Sequence, residues 1–267
     1  MTDPVLTQRH GSILEISLNR PDAYNALDME MMKQLGEALS FAAVDDSTQG
    51  VILTGKGKAF CSGGDLKWIS QQAENAGSVL YRLAPQFHLS IVEIHRMAKP
   101  VVAAINGIAA GGGFSLALAC DFRVMGQSAV LRQAYTSSGL SMDGGGSFAL
   151  PRLVGLAHAM EILAFDEPIS PARALEWGLV TKVVPDDQVP GEAIALLERL
   201  LKTSLHSFAW SKKLMTDSFY NTLETQLELE RQGISSCAAH PEGKEGLRAF
   251  VGKRKPDFPS TRDMTNR

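Results

Sequence analysis

Cysteine is scarce in this chain, and what it lacks narrows its chemistry before any motif is read. Cys61, Cys120 and Cys237 are few, odd in number and far apart, which excludes a disulfide framework and any regularly spaced thiolate metal site. Free thiols fit a reducing compartment, so a cytoplasmic protein is expected. The six histidines form no HExxH pair, and none stands at ligand spacing from a carboxylate, so no metal is expected. Charge of one sign is missing too. A net charge of −3 over 267 residues offers no general attraction for nucleic acid or an anionic membrane, so an anionic ligand needs a local site. No run approaches about 18 uninterrupted apolar residues, so no membrane span is expected. Met1-Thr-Asp-Pro-Val-Leu has neither the basic nor the apolar region of a signal peptide.

What is present is an ordinary apolar share of 45% with strand and helix patterns alternating to about residue 185. Ser12–Leu18, Val51–Thr54 and Pro100–Ile105 read as strands. Asp28 reads as the N-cap of a helix through Ala42, with Met31, Met32, Leu35 and Leu39 on one face. Met29, Met31 and Met32 are expected as core filler. Val79–Met97 and Phe114–Cys120 read as further helices, and strand–helix–strand spacing predicts parallel pairing. Gly191–Lys202, Ser207–Phe219 and Thr222–Ala238 predict a three-helix C-terminal module ending in a basic, irregular tail. The expected division is 1–190 for an α/β core and 191–267 for a helical region. No internal repeat is visible.

Two glycine-rich turns carry the chemical signal: Phe60-Cys-Ser-Gly-Gly-Asp65 and Asn106-Gly-Ile-Ala-Ala-Gly-Gly-Gly113. Gly50–Gly57 imitates GxxxxGK but ends in Gly instead of Ser or Thr, and no GxGxxG follows a strand, so nucleotide cradles are not supported. Turns that follow strands, one of them opening a helix, leave backbone N–H groups free for a developing oxyanion. Gly113-Phe-Ser115-Leu-Ala117 imitates a nucleophile elbow, but the approach from Ile105 is too gradual, and Ser115 is expected to be a small packing residue. Asp143, in Gly139-Leu-Ser-Met-Asp-Gly-Gly-Gly-Ser147, is expected as a solitary carboxylate in an apolar pocket, hence of raised basicity.

Asn19-Arg-Pro, Asn25-Ala-Leu-Asp28, Gly57-Lys-Ala-Phe-Cys-Ser-Gly-Gly-Asp-Leu66, Lys99-Pro-Val-Val-Ala-Ala-Ile-Asn-Gly107 and Gly111–Gly113 together resemble the crotonase (enoyl-CoA hydratase/isomerase) superfamily. The match continues through Leu150–Gly155, Ala174–Val180 and the Lys-Arg-Lys-Pro-Asp-Phe tail. This resemblance implies an α/β fold, a ClpP-like spiral of ββα units with a C-terminal helical trimerisation region. It also implies an acyl-CoA thioester as substrate, coenzyme A being part of that substrate and no separate cofactor, in a homotrimer or dimer of trimers. Gly64 and Gly112 become the oxyanion donors. The implied substrate contacts are Ala23, Ala26, Leu27, Ser62, Asp65, Leu66, Trp68, His88, Tyr135, Phe250 and Lys253, the last two reaching a neighbouring subunit's ligand.

Departures from the family pattern bear on the reaction. The two glutamates of hydratases would fall at Ser115 and Tyr135, neither of which is a carboxylate base. Aspartate at the position of Asp143 resembles ring-1,2-epoxyphenylacetyl-CoA and Δ3,Δ2-type isomerases, and also the 4-chlorobenzoyl-CoA dehalogenase, whose histidine base corresponds to His88. The expectation is a proton-shift isomerase with Asp143 as the carrier. A hydratase, or a nucleophilic dehalogenase or thioesterase, is the alternative. Residues from Leu66 to Phe87, including Trp68, Ile69 and Tyr81, are expected to form a movable cover over the acyl chain.

Overall fold

In the first half of the chain the elements start at local signals. The computed structural model describes residues 3–72 and 75–263. β1 (Val5–His10) and β2 (Ile13–Leu18) form an antiparallel hairpin, and β2 is buried along its whole length. β1 is absent from the sequence reading because its middle is exposed and polar, which leaves no apolar alternation to detect. The Asp28 carboxylate accepts the Met31 N–H at 2.9 Å and so caps α1 (Met29–Val44). β3 (Gly50–Gly55), β4 (Ala59–Cys61), α2 (Leu66–Ser70) and α3 (Ala76–Arg96) follow. Then come β5 (Val101–Ile105), β6 (Ile108–Ala110) and α4 (Gly112–Ala119), and β7 (Phe122–Gly126), β8 (Leu131–Arg132) and α5 (Gly146–Phe165). α6 (Pro171–Glu176) and β9 (Lys182–Val184) complete the α/β part.

A ββα unit thus recurs three times, although no repeat is visible in the residues. The first strand of each unit joins a six-stranded sheet of order β1-β2-β3-β5-β7-β9, parallel from β2 onward. The second joins a small parallel sheet, β4-β6-β8. Strands buried on both faces read as continuous apolar runs, which is why β3 and β5 were legible. The small sheet places the site. Its parallel strands end side by side, so the segments after them, Ser62–Asp65, Gly111–Gly113 and Gln133–Tyr135, leave from one edge.

α5 is the described helix that is long and apolar enough to cross a membrane, a stretch the sequence reading passed over because Arg152 and Glu161 interrupt it. Gly155, at φ 76° and ψ 162°, breaks it into two pieces. Each piece rises roughly 15 Å at 1.5 Å per residue, about half a bilayer core.

Compact packing divides the chain into two units, Met1–His95 with Val101–Ile194, and Arg96–Pro100 with Ala195–Arg267. The expected three C-terminal helices are present as α7 (Val189–Leu201), α8 (Leu205–Asp217) and α9 (Leu223–Ala239), but α10 (Pro241–Val251) and α11 (Phe258–Asp263) follow. α10 was missed because two glycines dilute its helical pattern, and one of them is needed: a Cβ on Gly243 would lie 1.8 Å from the Cys237 carbonyl oxygen. The buried Glu242 carboxylate ties this unit together, accepting Ser204 Oγ at 2.8 Å and the His206 N–H at 3.0 Å and pairing with Arg262.

Candidate active site

The two glycine turns are in contact. A Cβ on Gly63, whose φ is +97°, would stand 2.9 Å from the Ala110 carbonyl oxygen and 3.0 Å from the Gly112 nitrogen. Only glycine allows that approach. The first turn is laced to the segment before α1. Ser62 N–H donates to the Tyr24 carbonyl at 3.0 Å, Leu27 N–H to Gly63 at 2.7 Å, and Asp65 N–H to Leu27 at 2.9 Å. Arg20 binds both ends of this lacing, pairing with Asp28 at 3.0 Å and Asp65 at 2.9 Å and donating to the Ala26 carbonyl at 2.6 Å. Burial alone would raise the Asp65 carboxyl, but the Trp68 N–H and the Arg20 guanidinium outweigh it and hold it below the ordinary carboxylate range. Asn25, fully buried, accepts the Arg20 N–H at 2.8 Å and donates to the Lys56 and Ala59 carbonyls at 2.9 and 2.8 Å.

After this accounting, the N–H groups of Gly64 and Gly112 have no partner among the described residues. Both glycines line one apolar cavity of about 360 Å³, as does Asp143. Gly112 opens α4, whose first-turn N–H groups favour negative charge. Two unpartnered donors at one cavity wall are suited to a carbonyl oxygen that gains charge. Cys61 lies beneath this turn, but burial pushes its thiol up to about 12, so it is not a nucleophile.

Across the cavity the sequence expectation for Asp143 is corrected. Asp143 is not solitary: its Oδ1 lies 2.6 Å from His88 Nε2. Nor is it enclosed, since the two side chains are 42% and 48% exposed. The expected enclosure is not there, because the carboxyl sits at the cavity mouth. Ser115 and Tyr135 are both buried and bond to each other at 3.1 Å. Ser115 Oγ also reaches the Asp143 carbonyl at 2.7 Å, and Tyr135 OH reaches it at 3.2 Å. Ser115 lies inside α4 with no histidine bonded to it, so the elbow reading has no support. Burial pushes the Tyr135 phenol well above its ordinary range, which keeps it neutral.

Of the anticipated residues, Ser62, Gly64, Leu66, Gly112, Tyr135 and Asp143 line the cavity. His88 reaches it through Asp143, and Leu27 packs beside Gly112, its Cδ1 3.2 Å from where a Cβ of Gly112 would stand. Ala23, Ala26 and Asp65 lie in the laced segments behind. The cover is corrected in part: Ile69 lines the cavity, but Trp68 and Tyr81 do not. On α3 the face toward the cavity carries Leu80, Leu83, Ala84 and Phe87, at helical spacing, and Tyr81 is turned away and 84% exposed. Residues 73 and 74 of that segment lie outside the described residues. Met32, expected as core filler, forms part of the wall. Phe250 and Lys253 lie in the helical unit, Phe250 being 84% exposed.

Sequence reasoning missed Arg20 and Asp166. The Asp166 carboxylate is buried and accepts the N–H groups of Ala134 at 2.8 Å and Ser137 at 3.2 Å, and it pairs with Arg132 at 3.2 Å. It thereby fixes the loop that carries Tyr135. Neither role is visible locally, since Arg20 joins the nearby Asp28 to Asp65, 45 residues on, and the partners of Asp166 lie 29–34 residues away.

The family model described as enoyl-CoA hydratase/isomerase matches residues 8–261. The chain is 33% identical over 259 residues to the 1,2-epoxyphenylacetyl-CoA isomerase of Escherichia coli, covering 97% of this chain and 99% of that one. It is 37% identical over 243 residues to a probable enoyl-CoA hydratase of Rhodobacter capsulatus, covering 91% and 93%. The crystal structure of an enoyl-CoA hydratase from Polaromonas sp. JS666 superposes with a TM-score of 0.89 at 38% identity, covering 94% of this chain and 98% of that one. With glycine donors, cavity and ββα spiral all in place, this chain belongs to the enoyl-CoA hydratase/isomerase family of the crotonase superfamily and is an enzyme of that family.

Proposed function

We propose that the protein is an acyl-CoA isomerase that shifts a proton, and with it a double bond, along the acyl chain of a coenzyme A thioester. The observation that carries this reading is the opening of Asp143 into the same cavity as the unpartnered Gly64 and Gly112 N–H groups. The thioester oxygen accepts those two hydrogen bonds. As Asp143 removes the α-proton of a 3-enoyl thioester, the C–H electron pair moves into an enolate whose oxygen the donors stabilise, by roughly 3–4 kcal/mol per donor. Asp143 then returns the proton to the γ-carbon, and the double bond comes to lie between the α- and β-carbons. Water addition has less support, because the residues at the two glutamate positions of hydratases, Ser115 and Tyr135, are buried hydroxyls bonded to each other. The laced segments holding Ala23, Ala26, Leu27, Ser62, Asp65 and Leu66, with Trp68 behind them, we assign to the coenzyme A moiety. Phe250 and Lys253 we assign to the ligand of a neighbouring copy. Exposed Leu223, Leu227 and Ile234 on α9 support self-association of the helical unit.

Conjugation of a 3-enoyl-CoA, followed in the ultraviolet, tests the reading. Wild type should isomerise it, and Asp143→Asn should lose about 100-fold or more in rate. A variant within a few-fold of wild type would overturn the assignment. One contact favours a second reading. His88 beside a carboxylate, at 2.6 Å, is the arrangement a carboxylate nucleophile needs if a base is then to direct water at an acyl-enzyme anhydride or an aryl-enzyme ester. Single turnover in ¹⁸O-labelled water would leave label in Asp143 under that chemistry and none under isomerisation.

A further inference from the structure

We propose that Ser115 and Tyr135 are positioning residues, a hydroxyl bracket that sets the reach from the Gly112 donor to the Asp143 carboxylate. The inference rests on the reading of Asp143 as the proton carrier. Asp143 sits in a segment with unusual backbone freedom: Gly139, Gly144 and Gly145 have φ of 69°, 61° and 71°. Left alone, such a segment would spread its carboxylate over many placements. The backbone at the carboxylate is instead held at the Asp143 carbonyl oxygen. That oxygen accepts the Gly146 N–H at 3.1 Å and is approached by Ser115 Oγ at 2.7 Å and Tyr135 OH at 3.2 Å.

Hydrogen counting orders the bracket. The two hydroxyls carry two hydrogens for three contacts, counting the 3.1 Å contact between them. Ser115, at the shortest distance, donates to the carbonyl, and Tyr135 donates to Ser115 Oγ or to the same carbonyl. Removing the serine hydroxyl therefore costs more than removing the phenol, and Tyr135 partly substitutes for it.

What the bracket ties together gives it its role. Ser115 stands three residues after Gly112 in α4, so the helix that presents the oxyanion donor also holds the carboxylate's backbone. Tyr135 comes from the loop after β8, itself pinned by Asp166. On the other side Phe87 presses on the segment, its Cε1 only 2.2 Å from where a Cβ of Gly144 would stand. Ser115 is 1% exposed and does not line the cavity. Its hydroxyl acts through the Asp143 backbone.

The test uses Ser115→Ala, Tyr135→Phe, Asp143→Asn and the combinations with Asp143→Asn, with 3-enoyl-CoA isomerisation as the assay. A misplacement of about 1 Å costs on the order of 100-fold, so Ser115→Ala should lower kcat about 10- to 100-fold and Tyr135→Phe less. For Ser115→Ala KM should stay within about 2-fold, because Ser115 does not line the cavity and the donors are untouched. Added to Asp143→Asn, neither change should lower the residual rate further, since the group they aim is gone. Single variants at the wild-type rate would overturn the inference. So would an equal loss in the Asp143→Asn background, which marks a role in the fold or the donors instead. Should Ser115→Ala fail to fold, the isosteric Tyr135→Phe decides by the same criteria. Full activity of Asp143→Asn overturns the isomerase reading itself, and the inference with it.

Discussion

The two walls of the cavity are built on opposite principles. The donor wall is backbone. Its N–H groups are placed by glycine turns so close that a Cβ on Gly63 would stand 3.0 Å from the Gly112 nitrogen, and the first turn is laced by Arg20, Asp28 and Asp65. The carboxylate wall is side chain, with Asp143 and His88 paired at the mouth and 42% and 48% exposed. A donor fixed by main-chain packing needs no reorganisation when charge develops, whereas an exposed carboxylate must be aimed by whatever holds its loop. The two walls therefore respond to different changes.

The strongest blow to the donor wall is Gly112→Pro. Proline suits the first position of a helix and keeps its φ, but it removes the N–H. A folded variant with kcat lowered about 100- to 1000-fold is expected. A near-normal rate would mean that this N–H carries no charge in the reaction. His88→Gln tests the other wall and should do less. An exposed pair contributes little to stability, so the urea midpoint should move by under about 0.5 kcal/mol equivalent. The isomerisation rate should fall by no more than about 10-fold; a loss beyond about 100-fold would make His88 a base and favour the nucleophilic reading. Asp65→Asn gives the smallest effect and sharpens the contrast in pH. The Asp65 carboxyl is held below its ordinary range, so its stabilisation is present above the unfolded value of about 3.9 and is lost as pH falls through the lower folded value. Stability measured through the region below about pH 4 should decline less steeply in the variant than in wild type. Parallel curves would show that the Arg20 lacing is not what acid removes.

Much of the donor wall was legible because it is local. Glycine turns after short strands and Asp28 as a cap act within a few residues of their own positions. The carboxylate wall was legible only as composition. Asp143 was found as a carboxylate without sequence neighbours, but its partner is 55 residues away on α3 and its carbonyl is held from 28 residues away. The expected cover failed at Tyr81 and Trp68 for a similar reason, since helical phase relative to the cavity depends on what α3 packs against.

The amino-acid order alone determined the family, the alternation of buried strands and amphipathic helices, and the glycines that make close backbone approach possible. Those properties are set by periodicity and by steric limits within a few residues. The tertiary structure decided that two glycine turns meet, that Asp143 stands at an open mouth beside His88, and that Ser115 and Tyr135 grip its carbonyl. Most contacts of that kind join residues tens of positions apart across elements of a parallel-sheet fold, and no local pattern encodes which ends will lie side by side.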